Sequence, residues 1–171
     1  MAAPGDIILG HGVFSIGGTD IALTRGGGMF AIEREYREIE ADGDRGPVKG
    51  RIVIDTSRAR LTMNVLEIIP ENVPKLYPAM KHESAGGTDT ITGTLEVVDT
   101  DYQTVTWTGR TKGGRAVIIT LNNAICLENP EWPLEDKNEV VAQVIYTATY
   151  TEDARDVEPW KIEWVEGDVS V

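Results

Sequence analysis

The chain has 171 residues, of which 41% are apolar, and carries a formal net charge of −12 with a pI near 4.5. That length suits one domain with a substantial buried core, which argues against disorder as the dominant state. The charge has the wrong sign for gripping phosphate, and no apolar run approaches the roughly 18 to 20 residues of a bilayer-spanning helix.

Met1-Ala2-Ala3-Pro4-Gly5-Asp6 has neither a basic cluster nor a long apolar stretch, so no signal peptide is expected. Gly17-Gly18-Thr19-Asp20 then separates Val13-Phe14 from Ile21-Ala22-Leu23, the pattern of an early β-hairpin. Arg25-Gly26-Gly27-Gly28-Met29 is glycine-rich but lacks the Lys-Ser/Thr end of a phosphate loop and precedes a strand, so it reads as a flexible turn. Beyond it, the polar and glycine-rich stretch from Glu40 to Pro47 is expected to be a long loop, of a size that is often functional.

Ala59, Leu61, Met63 and Val65 alternate with Arg58, Arg60, Thr62 and Asn64, the period of a half-buried strand. Pro70 to Met80 breaks that period. Proline in a first turn followed by Glu71 predicts a helix of two or three turns, with Val73, Leu76, Tyr77 and Met80 as its buried stripe and Pro78 limiting its length. Alternation resumes at Ile91, Leu95 and Val97, with Gly93 in the apolar register. It continues through Val105 and Trp107, through Val117, Ile119 and Leu121, from Ala142 to Tyr150, and through Trp160, Ile162 and Trp164. Asp99-Thr100-Asp101 and Lys112-Gly113-Gly114 punctuate these runs as turns, and strands about ten residues apart predict a mainly β sandwich or barrel. Glu128 to Asn138, with two prolines and Trp132, is expected to be a second, acidic loop.

No assembled chemistry stands out. His11 and His82 lie apart and Cys126 is alone, too few groups for an organised metal site, and no disulfide is available within the chain. Ser15, Ser57, Ser84 and Ser170 lack a nucleophile elbow, and Cys126 reads as a small buried residue. Adjacent acids such as Glu135-Asp136 and Glu152-Asp153 fall in the most polar stretches, where they read as a solvated face. Neither an enzyme nor a cofactor is expected.

Charge is uneven. From Ala124 onward twelve acidic residues face Lys137, Arg155 and Lys161, which places nine of the twelve net negative charges there. Arg58 and Arg60 project from the polar face of their strand, with Arg51 expected on the preceding one. Two readings are open for these arginines: a salt-bridged subunit contact with the acidic C-terminal region, favoured because it would relieve self-repulsion, or a solvated, exposed sheet face.

The order of motifs resembles a known family. Gly26-Gly27-Gly28-Met29-Phe30 leads into Glu33-Arg34-Glu35-Tyr36. Ile39-Glu40-Ala41-Asp42-Gly43-Asp44-Arg45-Gly46-Pro47-Val48-Lys49-Gly50 follows, then a paired strand and the Pro70 to Met80 segment. Lys137-Asn138-Glu139-Val140-Val141 leads a Tyr/Thr strand, and Glu158-Pro159-Trp160-Lys161-Ile162-Glu163 comes near the end. From about Gly10 to Val165 this succession is similar to the major tail tube proteins of siphophages.

That resemblance implies a single domain of two packed antiparallel sheets flanked by one short helix. It also implies hexameric rings in which the sheets join into a β-barrel around a lumen, stacked into a virion tail tube and assembled in the host cytoplasm. Contacts between subunits and rings are then expected at Asp42, Gly43, Asp44, Arg45, Gly46, Pro47 and Lys49, with Arg51, Arg58 and Arg60, and at the terminal stretches Met1 to Gly10 and Gly167 to Val171. Implied partners are further copies, a tape measure protein, a tail terminator and a distal tail protein. DNA would pass through the lumen without specific binding, and no membrane is involved. Six copies at −12 each would carry about −72, consistent with a lumen that repels DNA. Strand edges that are a liability in a monomer become ring joints. Other readings share these residues: an inner tube of a contractile tail or secretion apparatus, a head-decoration or tail-completion protein, or a monomeric β-sandwich binding module. The last would carry an aromatic platform drawn from Trp107, Trp132, Trp160 and Trp164.

Overall fold

The computed structural model describes residues 4–21 and 23–167. The terminal stretches expected to bridge rings fall partly outside these residues, at 1–3 and 168–171, as does position 22 of the first hairpin. Strand makes up 53% of the structure and helix 10%, in keeping with a mainly β protein.

The elements are β1 (Ile8–Ile16), β2 (Thr19–Ile21), β3 (Thr24–Glu38), β4 (Ile52–Val65), α1 (Val73–Leu76), β5 (Met80–Ala85), β6 (Thr88–Gly93), β7 (Gln103–Thr111), β8 (Ala116–Cys126), β9 (Ala142–Ala148) and β10 (Trp160–Val165). Eight strands form one antiparallel sheet in the order β2-β1-β7-β8-β9-β4-β3, with β10 also on β8; β5 and β6 form a separate pair. The expected early hairpin is present. Ile16 opposes Thr19, and both linking residues, Gly17 and Gly18, have positive φ (55° and 84°), as a two-residue turn of that twist requires.

The pairing of β8 explains why there is one large sheet instead of two separate ones. Its first half, Ala116 to Leu121, lies between β7 and β10, and its last residues, Ala124 to Cys126, pair with β9. Between them the β7 register slips at Asn122-Asn123, and Asn123 takes a left-handed φ of 48°, which asparagine tolerates. The sheet bends there, and its ends face each other over one core. Phe30 of β3 meets the Trp160 ring edge-on with centroids 6.0 Å apart. A Cβ on Gly28 would lie 2.6 Å from the Phe14 ring. The sheet is not closed into a barrel.

Leu61, Met63 and Val65 of β4, Val144 and Tyr146 of β9, and Ile16, Val105 and Leu121 are buried in that core. Each large side chain contributes about 1.5–3 kcal/mol by leaving water. Cys126 is among them, and burial pushes its thiol pKa up, as suits a packing residue.

Two expected elements are shorter than the pattern indicated. In place of a helix to Met80, a 3-10 turn over Pro70–Asn72 runs into the four residues of α1. Tyr77 is already extended (φ −129°, ψ 136°) because it precedes Pro78, whose ring crowds the helical conformation. Val73, Leu76 and Tyr77 are buried as expected, whereas Met80 opens β5. So short a helix is unstable alone; the buried Tyr146 hydroxyl donates to the Lys75 carbonyl at 2.8 Å and fixes it to the core. The strand expected through Val97 stops at Gly93. Among the described residues no strand lies alongside the segment that follows, and Leu95, Val97 and Val98 are exposed.

Candidate assembly interface

Beyond Ile32 and Ala59, β3 and β4 leave the core and continue as a two-stranded arm, joined by the loop from Ile39 to Arg51. Along the inner part of β4 the odd-numbered residues Ala59, Leu61, Met63 and Val65 face the core. A register slip changes that parity. Glu35 opposes Thr56 but Tyr36 opposes Ile54, which leaves Asp55 as an extra, bulged residue. Ile54 and Ile52 therefore share the face that carries Tyr36 and Glu38. The three apolar side chains are uncovered, with Tyr36 63%, Ile52 51% and Ile54 49% exposed. The bulged Asp55 turns back to Arg37 at 2.9 Å.

A clamp holds the base of the arm. Glu158 accepts the Ser57 hydroxyl at 2.7 Å, and Arg34 donates to both of its oxygens at 3.0 Å. The Ser57 hydroxyl and the Arg34 guanidinium keep the Glu158 carboxyl below its ordinary pKa, and the same contact raises that of Arg34. Tyr150 adds a bond from its hydroxyl to the Ser57 carbonyl at 3.1 Å.

The loop at the tip has internal order. Asp44 accepts the Ala41 amide at 2.8 Å and takes both Arg51 terminal nitrogens, at 2.8 and 3.3 Å. Gly43 occupies a left-handed φ of 93°. Asp42, Arg45 and Lys49 are exposed and make no ion pair among the described residues, while Gly46 and Pro47 complete the turn without close side-chain partners. Arg51 stands just ahead of β4, which carries Arg58 and Arg60, and not on a preceding strand. Arg60 reaches Glu33 at 3.5 Å across the arm, and Arg58 has no ion pair among the described residues. Within the chain, the acidic C-terminal region is met by Arg34, on the core-side face, through Glu158, and by Arg25 through Glu139 at 2.8 Å.

Three further surfaces complete the picture. Between β1 and β3 an open cleft of about 390 Å³ is lined by Gly12, Phe14, Gly28, Phe30, Trp107 and Ile119. On the far side of β1, β7, β8 and β10, two cross-strand rows run Ser15-Thr106-Thr120-Lys161 and Val13-Thr108-Ile118-Glu163. The charges of these two rows, Lys161 and Glu163, pair at 3.0 Å, and the next row, Arg110-Ala116-Val165, adds one exposed arginine, so this face is rich in hydroxyls and sparsely charged. The acidic loop from Glu128 to Asn138 is irregular as expected, with Trp132 Nε1 donating to the Tyr77 hydroxyl at 3.4 Å and Asn138 to Glu135 at 3.0 Å. Among the described residues, no group of three or more His, Cys, Asp or Glu side chains is placed to hold a metal, and no helix is long and apolar enough to cross a membrane. Comparison with protein-family models gives no match, and none is found among curated protein sequences.

Sequence reading located the tip loop but missed the apolar face of the arm. Its signal is the parity switch itself: apolar residues at 52 and 54, then at 59, 61 and 63. One extra residue in between is what places both sets on one side.

Proposed function

We propose that this chain is a structural subunit that assembles with copies of itself, and that the assembly is the tail tube of a bacteriophage, built of stacked hexameric rings around a conduit for DNA. The observation that carries this reading is the arm, two clamped strands that project from the core with an uncovered apolar face. A monomer gains nothing from exposing Tyr36, Ile52 and Ile54 together, and such faces mark interaction surfaces. The outer edge of β3 supports the same reading, since this fifteen-residue strand pairs with β4 on one side and the backbone groups of its other edge invite a neighbouring strand.

In this assembly the bent sheet acts as two packed layers, and neighbouring copies continue the β1-β7-β8-β10 layer into a ring-shaped barrel. The hydroxyl-rich rows line the passage, where the sparse positive charge lets DNA slide without adhering. The acidic loops then lie outside it. The tip loop, with Asp42, Arg45, Lys49 and Arg58, meets neighbouring subunits and rings. By the same family resemblance, the tape measure protein, tail terminator and distal tail protein are the other partners, in the virion.

A binding module gains less support. Trp107 and Trp160 pack against the core and Trp132 bonds to Tyr77, so these three form no shared platform.

Negative-stain electron microscopy of the purified protein over a concentration series tests the proposal. Rings or hollow tubes are expected; monomers at every concentration, also in the presence of an initiating tail-tip complex, would rule it out.

A further inference from the structure

We propose that the arm of one copy seats in the interlayer cleft of a second copy, Tyr36 and Ile54 entering between β1 and β3. This rests on the assembly reading above and assigns the two halves of its contact. The cleft is largely apolar inside, and glycines interrupt both of its rims. Pairing along β1 slips between Ile8 and Gly12, and pairing along β3 slips between Thr24 and Gly28. A Cβ built on Gly10 or Gly27 would meet nothing within 4 Å. Glycines in interrupted strands leave room for another backbone to approach. Ile8 and Met29 stand exposed at the mouth, 47% and 66%.

Charge fits the same pairing. Lys112 is bonded through its backbone to the Ile7 carbonyl at the rim, and Glu38 shares the apolar face of the arm; neither has an ion-pair partner among the described residues. The arm cannot fill its own cleft. The Arg34–Glu158 clamp directs it away, and Phe30 on Trp160 stands between them. A copy that fills its neighbour's cleft therefore leaves its own open, a head-to-tail contact that repeats into rings or filaments.

Two single variants and their mixture test the inference. Gly10→Phe obstructs the cleft at a position with open space and no positive φ, and Tyr36→Asp disables the arm. Each alone should raise the concentration needed for polymerisation at least tenfold. Mixed, they should give a particle with one copy of each in native mass spectrometry, because one intact arm and one intact cleft remain. Polymerisation of Gly10→Phe at the wild-type concentration, or a mixture that stays monomeric, overturns the inference while leaving the assembly reading intact. A wild type that never assembles removes both. If Gly10→Phe fails to fold, Met29→Lys at the same mouth serves in its place, with the same outcomes.

Discussion

At the scale of single residues, Glu158 does the most to fix where the arm points. Its carboxylate is one-third exposed or less and joins Arg34, Ser57 and the strand leading to Trp160. The sign of its pH effect follows from the lowered pKa. The stability it lends is fully present above the unfolded carboxyl value, about 4.3, and is lost as pH falls through the lower folded value. With solvent screening the contribution is about 1 kcal/mol. Glu158→Gln should therefore unfold at a lower temperature than wild type at pH 7, and the gap should close as both are taken to strongly acidic pH. A gap of constant size across that range, followed by calorimetry, would mean that the ion pair is not its source.

At the scale of elements, removing Asp42 to Gly46 takes away the tip loop and the Asp44–Arg51 bond but no buried side chain. The fold should survive, with a melting temperature within a few degrees of wild type, and polymerisation should be lost; tubes of normal length from this deletion would end the role assigned to the loop. Strict alternation made β9 and the inner half of β4 legible in the sequence, because one face of each is buried throughout. Where pairing partners decide the outcome, the sequence misled. Leu95 and Val97 alternate as well as any strand but have no neighbouring strand among the described residues, and Gly26 to Gly28 are held in β3 because Thr24 and Gly28 on either side of the slip pair with β4. The bulges at Asp55 and at Asn122-Asn123 were invisible for a related reason, since each is defined by the register of the strand opposite. The tip loop was found from its polarity and glycines, and the face beside it was missed because its apolar residues change parity.

At the scale of the whole molecule, a net charge of −12 sets the conditions for bringing copies together. Like-charged subunits repel over about 10 Å at 0.1 M salt and over about 30 Å at 0.01 M. A pairing of Lys112 with Glu38 of a second copy, as proposed above, would oppose this only weakly, at under about 1 kcal/mol for an exposed pair. Assembly should accordingly strengthen as salt rises from low to physiological strength, with a lower threshold concentration in sedimentation. A threshold that rises with salt would show that attraction between charges dominates.

The divided pairing of β8 also has a consequence for a chain still being made. As it leaves the ribosome, β8 can find β7 at once, but the other flank of Ala116 to Leu121 stays bare until Trp160–Val165 has followed. For that interval Ile118 and Ile119 sit on an open edge. The latecomer covers that flank and becomes the edge of the layer in its place. Chain order thus sets the sequence of events, and the layer proposed to join neighbours is whole only once Trp160–Val165 has emerged.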